Sequence, residues 1–343
     1  MRNWIWLVAA IGLASFAGCK LPQVQACVNA KVRPELPTVG NSGPVHGMEI
    51  EVEPCAQATI ALIDVDGLLL NQDMSGPLTM GENPVSLFTE RLDAAANDPS
   101  VCAVVIRINS FGGSVTACDM MRYELLRFRE QKGIPVVVSL MDVGTAGAYY
   151  LASAGDTVLA HPTTITGGVG VILNVYNLTD MLQQQNITPI PVKAGAHIDM
   201  GTPIKELDED KRKLLQAMAD EFHERFKSAV TSIRTKIDPK DETNFDGRVF
   251  SATEAHKRGF VDEVGYLDQA IATAKQQAGM SSAVVKMFHR CHDRPHNKYA
   301  VTPNTPIQAS LFPLSIPGYD RTKVPAFLYL WQPEPSMEKL GGR

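Results

Sequence analysis

From Ala58 onward the chain alternates short apolar runs with amphipathic ones, and this alternation constrains the fold more than any other feature. Ile60-Ala61-Leu62-Ile63-Asp64-Val65 reads as a buried strand, and Pro84 to Ala96, with Val85, Phe88, Leu92 and Ala95 on one face, reads as a helix. Val101 to Ile108 predicts a second strand, Val115 to Arg129 a second helix and Pro135 to Leu140 a third strand. Strands separated by helices run parallel, so the expectation is an α/β fold of repeated βαβ units. A further helix is expected over Gly147 to Ala154, with short strands near Thr157–Ala160, Val169–Leu173 and Ile187–Val192. Asp208 then caps a long helix in which Leu214, Met218, Phe222, Phe226 and Val230 recur every fourth position. Ala252 to Arg258, Val261 to Val264 and Leu267 to Gln277 close the pattern as helix, strand and helix.

The 343 residues allow two ordinary domains or one with extensions. A net charge of -5 supplies no positive field for a polyanion, so nucleic acid is not an expected partner. Met1-Arg2-Asn3 followed by the apolar stretch Trp4 to Ala17 is too short for a membrane span and suits an export signal. Phe16-Ala17-Gly18-Cys19 resembles the lipobox of bacterial lipoproteins, which implies cleavage before Cys19 and acylation of that residue. The alternative is an ordinary secretory signal cut at another small residue. The expected organisation is a lipoprotein signal peptide over 1–18, a tether over 19–57, a domain over 58–279 and a proline-rich extension over 280–343. Within that extension, Pro325 to Trp331 is an apolar stretch expected to dock on the body or on a neighbour. The whole is expected to be an exported cell-envelope lipoprotein with its domain outside the cytoplasm.

Without Cys19 the cysteines are Cys27, Cys55, Cys102, Cys118 and Cys291, an odd number in a compartment that permits disulfides. Cys102 and Cys118 read as buried apolar residues, and Cys27 with Cys55 is a candidate bridge. His289, Cys291, His292 and His296 match no common zinc spacing and read as a solvated loop, so neither metal nor cofactor is expected.

Two segments bear on chemistry. Asn109-Ser110-Phe111-Gly112-Gly113-Ser114 follows a buried strand and precedes a helix; its paired glycines let backbone N–H groups turn toward a cleft where a carbonyl or oxyanion is held. Val143-Gly144-Thr145-Ala146-Gly147-Ala148-Tyr149-Tyr150 carries small residues into the next helix, where Gly147 is a further N–H donor.

These segments, in this order, resemble the signal peptide peptidase A family, serine–lysine peptidases with a ClpP/crotonase-like fold. The first corresponds to the family's N-S-P-G-G-S with Phe111 for proline, and His161 to Val171 corresponds to its P-x-T-x-T-G-S-I-G-V with Gly168 for serine. Val192 to Gly195, Asp199 to Pro203, Asp246 to Phe250 and Gly259 to Gly265 match its later motifs. The resemblance implies an oxyanion or peptide-binding site at Gly112, Gly113 and Gly147, peptides or signal-peptide remnants as ligands, and assembly with like subunits.

The same overlay places alanine where the family has its nucleophile. Its M-A-A-S-G-G-Y serine falls on Ala146, and the lysine base of its G-x-x-K-D falls on Ile198. Alanine forms no acyl intermediate and isoleucine accepts no proton; loss of the nucleophile alone costs a serine peptidase roughly a million-fold, about 8 kcal/mol of barrier. The expectation is a catalytically inactive pseudo-peptidase that binds peptides or serves as a subunit, as a homo-oligomer or beside an active paralogue. The alternative is an endopeptidase acting on cleaved signal peptides through a displaced nucleophile, Thr145, with Lys193 or His197 as base. Thr145 itself is expected as a hydroxyl at a helix start. A third reading, acyl-CoA chemistry on the same fold, conflicts with export.

Overall fold

The central strands are apolar on both faces, and this determines the layering. The computed structural model describes residues 43–73, 82–290, 295, 297–300 and 327–331, all within the unit Val39–Arg343. Strands β1 (His46–Val52), β2 (Ala58–Leu69), β3 (Val101–Ser114), β4 (Val136–Thr145), β5 (Thr157–Ala160), β6 (Ile165–Gly167), β7 (Val249–Ser251), β8 (Glu263–Val264), β9 (Ala283–His289) and β10 (Leu328–Leu330) form one sheet. Its main path runs β1-β9-β2-β3-β4-β5-β8; β6 pairs with β4 and β7, and β10 with β3. The pairs from β9 through β2, β3, β4 and β5 to β8 are parallel, as crossover helices require. The α/β architecture of βαβ units agrees with the ClpP/crotonase-like class expected from the sequence.

Helices α1 (Pro84–Asn97), α2 (Val115–Lys132) and α3 (Gly147–Ala152) cover one face, α4 (Thr179–Gln184) lies outside the core, and α5 (Glu209–Thr231), α6 (Ala252–Lys257) and α7 (Leu267–Gln277) follow. Successive side chains of a strand point to opposite faces. Ala61, Ile63, Val104 and Ile106 therefore join Phe88, Leu92, Met121, Leu125 and Phe226 in the larger core, while Ile60, Leu62, Ala103 and Val105 join Leu267, Ala270 and Ala274 of α7 in a smaller one.

Local chemistry sets the helix starts. The Asn83 side chain accepts from the Val85 and Ser86 N–H groups ahead of α1, with Pro84 in the first turn. Ser114 accepts from Ala117 N–H ahead of α2, which ends on the left-handed Gly133, and Asp208 accepts from Lys211 N–H ahead of α5.

The structure corrects several expectations. Val169–Leu173 is not a strand: positive φ at Gly167 and Gly168 ends β6, and only Ile172 bridges, to Leu328. Ile187–Val192 is irregular and exposed, with Ile190 at 84% and Val192 at 100%; Pro189 and Pro191 within it have no N–H for a ladder, and no described strand pairs with it. On α5 the apolar stripe is buried at Phe226 and Val230, while Leu214 and Met218 are exposed. The sheet also takes in segments on both sides of 58–279, since β1 and β9 pair with each other and β9 with β2. His289 is buried in β9 with its Nδ1 2.6 Å from the Arg290 carbonyl oxygen, not in a solvated loop. Phe327 to Trp331 docks on the body through β10. Cys19, Cys27, Cys291, His292 and His296 lie outside the described residues; Cys55, Cys102 and Cys118 are free.

Candidate functional site

β4 passes into α3 through a single residue, Ala146, at φ 51° and ψ -119°. A residue with a Cβ pays about 1–3 kcal/mol for such a conformation, which persists only where neighbours enforce it. Here the Ala146 N–H donates to the Gly167 carbonyl at 2.8 Å and its carbonyl accepts from Tyr150 N–H at 2.8 Å. Beneath it, Thr166 Oγ1 donates to the Gly144 carbonyl at 2.6 Å. A sharp strand-to-helix turn presents the nucleophile in α/β-hydrolases. The turn is built; the side chain on it is a methyl group.

The structure brings the predicted glycines together around this turn. A Cβ added to Gly112, at φ 107°, would lie 2.7 Å from Gly147 N; one on Gly113 would lie 1.8 Å from the Leu69 carbonyl oxygen; one on Gly147 would lie 2.3 Å from Cys118 Sγ. All three sites need glycine for close approach. Their N–H groups differ in use. That of Gly112 donates to Ser110 Oγ at 3.0 Å and so turns back into its own chain. Gly113 instead pairs with Tyr329 of β10.

The residues expected as substitutes lie otherwise. Thr145 is the last residue of β4, not a helix start; it is fully buried and its hydroxyl donates to the Phe111 carbonyl at 3.4 Å. Lys193 donates to Asp199 at 2.6 Å and to the Ala196 carbonyl at 3.2 Å, and with Lys211 it holds the Asp199 carboxyl down at about 2. His197 is exposed, and Ile198 is 74% exposed on the irregular segment before α5. An exposed position does not desolvate a base, which is what an activated lysine needs. Ser139 and Ser153 are buried, and Ser153 Oγ is satisfied by Arg122 and the Tyr150 carbonyl.

Two further side chains lie close to the glycine-rich segments. Cys118 lies under Gly147, and burial pushes its thiol well above the usual range, so it remains protonated and is a poor nucleophile. Asp66, near the start of the Gly-rich segment, has its carboxyl raised to about 6, first by burial and then by the Asp64 charge. The only sequence signal was a pair of aspartates in an apolar strand. No cluster of three or more metal-ligating side chains occurs among the described residues.

Residues 128–281 match the family model "Peptidase family S49". That span resembles the S49 peptidases. The putative signal peptide peptidase SppA of Enterococcus faecium is 24% identical over 233 residues, covering 68% of this chain and 67% of that protein. The chloroplastic serine protease SPPA of Arabidopsis thaliana and protease 4 of Salmonella typhi are each 29% identical, covering 64% of this chain. This chain spans only 32% and 35% of their respective lengths. Among solved structures, a 1510-N membrane-bound stomatin-specific protease variant in complex with a substrate peptide is similar at 14% identity with a TM-score of 0.42, over 68% of this chain and 92% of that one. The matched span contains Ala146 and the turn it forms. No helix among the described residues is long and apolar enough to cross a membrane.

Proposed function

We propose that this chain is a lipid-anchored S49-like pseudo-peptidase whose cleft binds extended peptides without cleaving them. The observation that carries the reading is Ala146, a methyl-bearing residue held at φ 51° where a catalytic hydroxyl would stand. A scaffold that retains a strained turn but not its nucleophile retains a shape for binding. The Gly-rich end of β3 supplies a backbone ladder for an extended segment, the β-addition mode of peptide recognition. Acylation of Cys19 places the domain on a membrane outside the cytoplasm.

The chain works as a subunit, beside copies of itself or an active paralogue. Ile190, Val192 and Ile198, at 84%, 100% and 74% exposure, support an assembly surface on the segment before α5.

The test is fluorophosphonate labelling of the purified chain together with digestion of unstructured peptides. Neither labelling nor cleavage is expected. Labelling that disappears on Thr145→Ala would establish a displaced nucleophile in place of this reading, and mass spectrometry of the intact N-terminus checks the anchor.

A further inference from the structure

Two strand ladders lose register at one residue. Between β3 and β4 the pairing steps from Ile108 opposite Leu140 to Ser110 opposite Gly144, so β3 advances two residues while β4 advances four. Between β2 and β3 it steps from Asp66 opposite Asn109 to Leu68 opposite Gly112. Asn109 lies at both shifts. Just beyond it stand the two walls of the cleft, the Gly-rich end of β3 and the Ala146 turn.

The surplus chain on β4, Met141 to Val143, has no place in the regular ladder, so side chains satisfy its backbone. Thr164 Oγ1 donates to the Leu140 carbonyl at 3.0 Å and also reaches that of Met141. Asn109 Oδ1 accepts from Val143 N–H at 3.2 Å. A carboxamide has its acceptor on one side and its donors on the other. With Oδ1 on Val143, the Asn109 nitrogen is left for Asp66, directly opposite on β2, and the Asp66 carboxyl accepts from it. A line of side-chain bonds thus runs from β2 through β3 to β4, reaching β4 shortly before Ala146.

That line is matched only when Asp66 is ionised. A carboxylate offers acceptors alone, whereas a protonated carboxyl carries an O–H that needs an acceptor, and the Asn109 amide offers one only through its oxygen. Turning the amide to take that proton would aim its N–H groups at Val143 N–H, donor against donor. The charged groups that face Asp66 are Asp64 on β2 and Arg107 on β3. Burial and then the Asp64 charge raise its carboxyl to about 6, while Asn109, Arg107 and the Gly67 N–H act in the other direction. Arg107 is itself shared between Asp64 and the carbonyls of Lys298 and Ala300, and Lys298 Nζ is turned to Glu51 and Asp268.

We propose that Asp66 and Asn109 form a proton-sensitive strut: ionised Asp66 fixes the Asn109 amide on Val143 N–H and so holds the Ala146 turn against the Gly-rich end of β3, and protonation of Asp66 frees it. Both are positioning residues. The strut concerns the walls of the cleft and does not depend on what they bind. Its local effect opposes the global one. Because the folded pKa of Asp66 stands above the ordinary value, the whole chain gains stability as the proton is taken up, yet the contact between β3 and β4 weakens. A merely structural role gives no such opposition.

The experiment is amide hydrogen exchange of the full chain between about pH 5 and about pH 8, corrected for intrinsic rates, with fully buried Val105 as the internal reference. In wild type, Val143 protection relative to Val105 should fall about tenfold on acidification, with its midpoint at about 6. Trp331, whose N–H donates to the Phe111 carbonyl in the adjoining wall, should lose protection in parallel. Asp66→Asn cannot ionise and presents a donor, so it should show the low-pH Val143 exchange at every pH even as it raises the denaturation midpoint at neutral pH. Asn109→Ala should leave Val143 unprotected throughout. Flat Val143 protection in wild type, a pH profile that survives in Asp66→Asn, or a change at Val143 that leaves Trp331 untouched each overturns the proposal, and none of them bears on peptide binding. The wild-type profile needs no variant, so a variant that fails to fold leaves the proposal open to refutation.

Discussion

Gly112 and Tyr329 approach so closely that a Cβ on the first would lie 2.0 Å from the carbonyl oxygen of the second. The obstruction is backbone, so no rotamer change relieves it. Gly112→Ala should expel β10 and speed amide exchange at Leu328 and Trp331 at least tenfold. Gly67→Ala is the matched control, because Gly67 also has positive φ but nothing within 4 Å of its added Cβ. It should leave those amides protected and carry only the backbone strain, about 1–3 kcal/mol.

Ala146→Gly should not behave as an ordinary alanine-to-glycine change. Glycine adopts φ 51° and ψ -119° without steric penalty, and relief of roughly 1–3 kcal/mol outweighs its greater chain entropy, about 0.5–1 kcal/mol. Thermal unfolding should show a raised midpoint, whereas Ala148→Gly, one step into α3 and fully buried, should lower it.

Ala146→Ser restores the hydroxyl and should still leave the chain unreactive toward fluorophosphonates. A serine needs a neighbouring base, Lys193 is committed to Asp199 at 2.6 Å, and Ile198 offers no proton acceptor. Labelling of this single variant would reveal a base that the named residues do not account for.

Asp66 makes stability pH-dependent. Its folded pKa of about 6 stands above the ordinary 3.8, so the folded state binds the proton more tightly. The stability it contributes is full below about pH 4 and is lost as pH rises through 6, a difference of up to about 3 kcal/mol. Asp66→Asn should therefore raise the denaturation midpoint at pH 7.5 and change it little at pH 4, in paired urea titrations.

Arg107 is buried beside Asp64 at 2.8 Å, with side chains 4% and 3% exposed, and donates to the carbonyls of Lys298 and Ala300. Arg107→Met removes the buried guanidinium paired with Asp64 and should cost about 3–5 kcal/mol. Equilibrium denaturation checks the loss, and Arg107→Lys should recover only part of it, because lysine has no planar fork to reach acceptors on both sides.

Much of the sheet was legible because burial on both faces leaves continuous apolar runs, as in Ile60 to Val65 and Val101 to Ile108, and because caps such as Asn83 and Ser114 act within one turn. The irregular segment before α5 was not. Ile187 to Val192 is apolar enough to read as a strand, but Pro189 and Pro191 have no N–H to donate to a ladder. Thr145 was misplaced because small residues suit a helix start, yet pairing of Val143 to Thr145 with Ile165 to Gly167 of β6 carries β4 on to Thr145.

The sequence by itself determined the parallel α/β core and the run of small residues around Ala146, because both follow from residue identity along a continuous pattern. Only the tertiary structure decided that Ala146 still bends through φ 51°, that Gly112 spends its N–H on Ser110, and that Tyr329 fills the space beside them. The last of these depends on segments more than two hundred residues apart sharing one ladder, and a ladder's register is set by where the backbones meet, which no local pattern encodes.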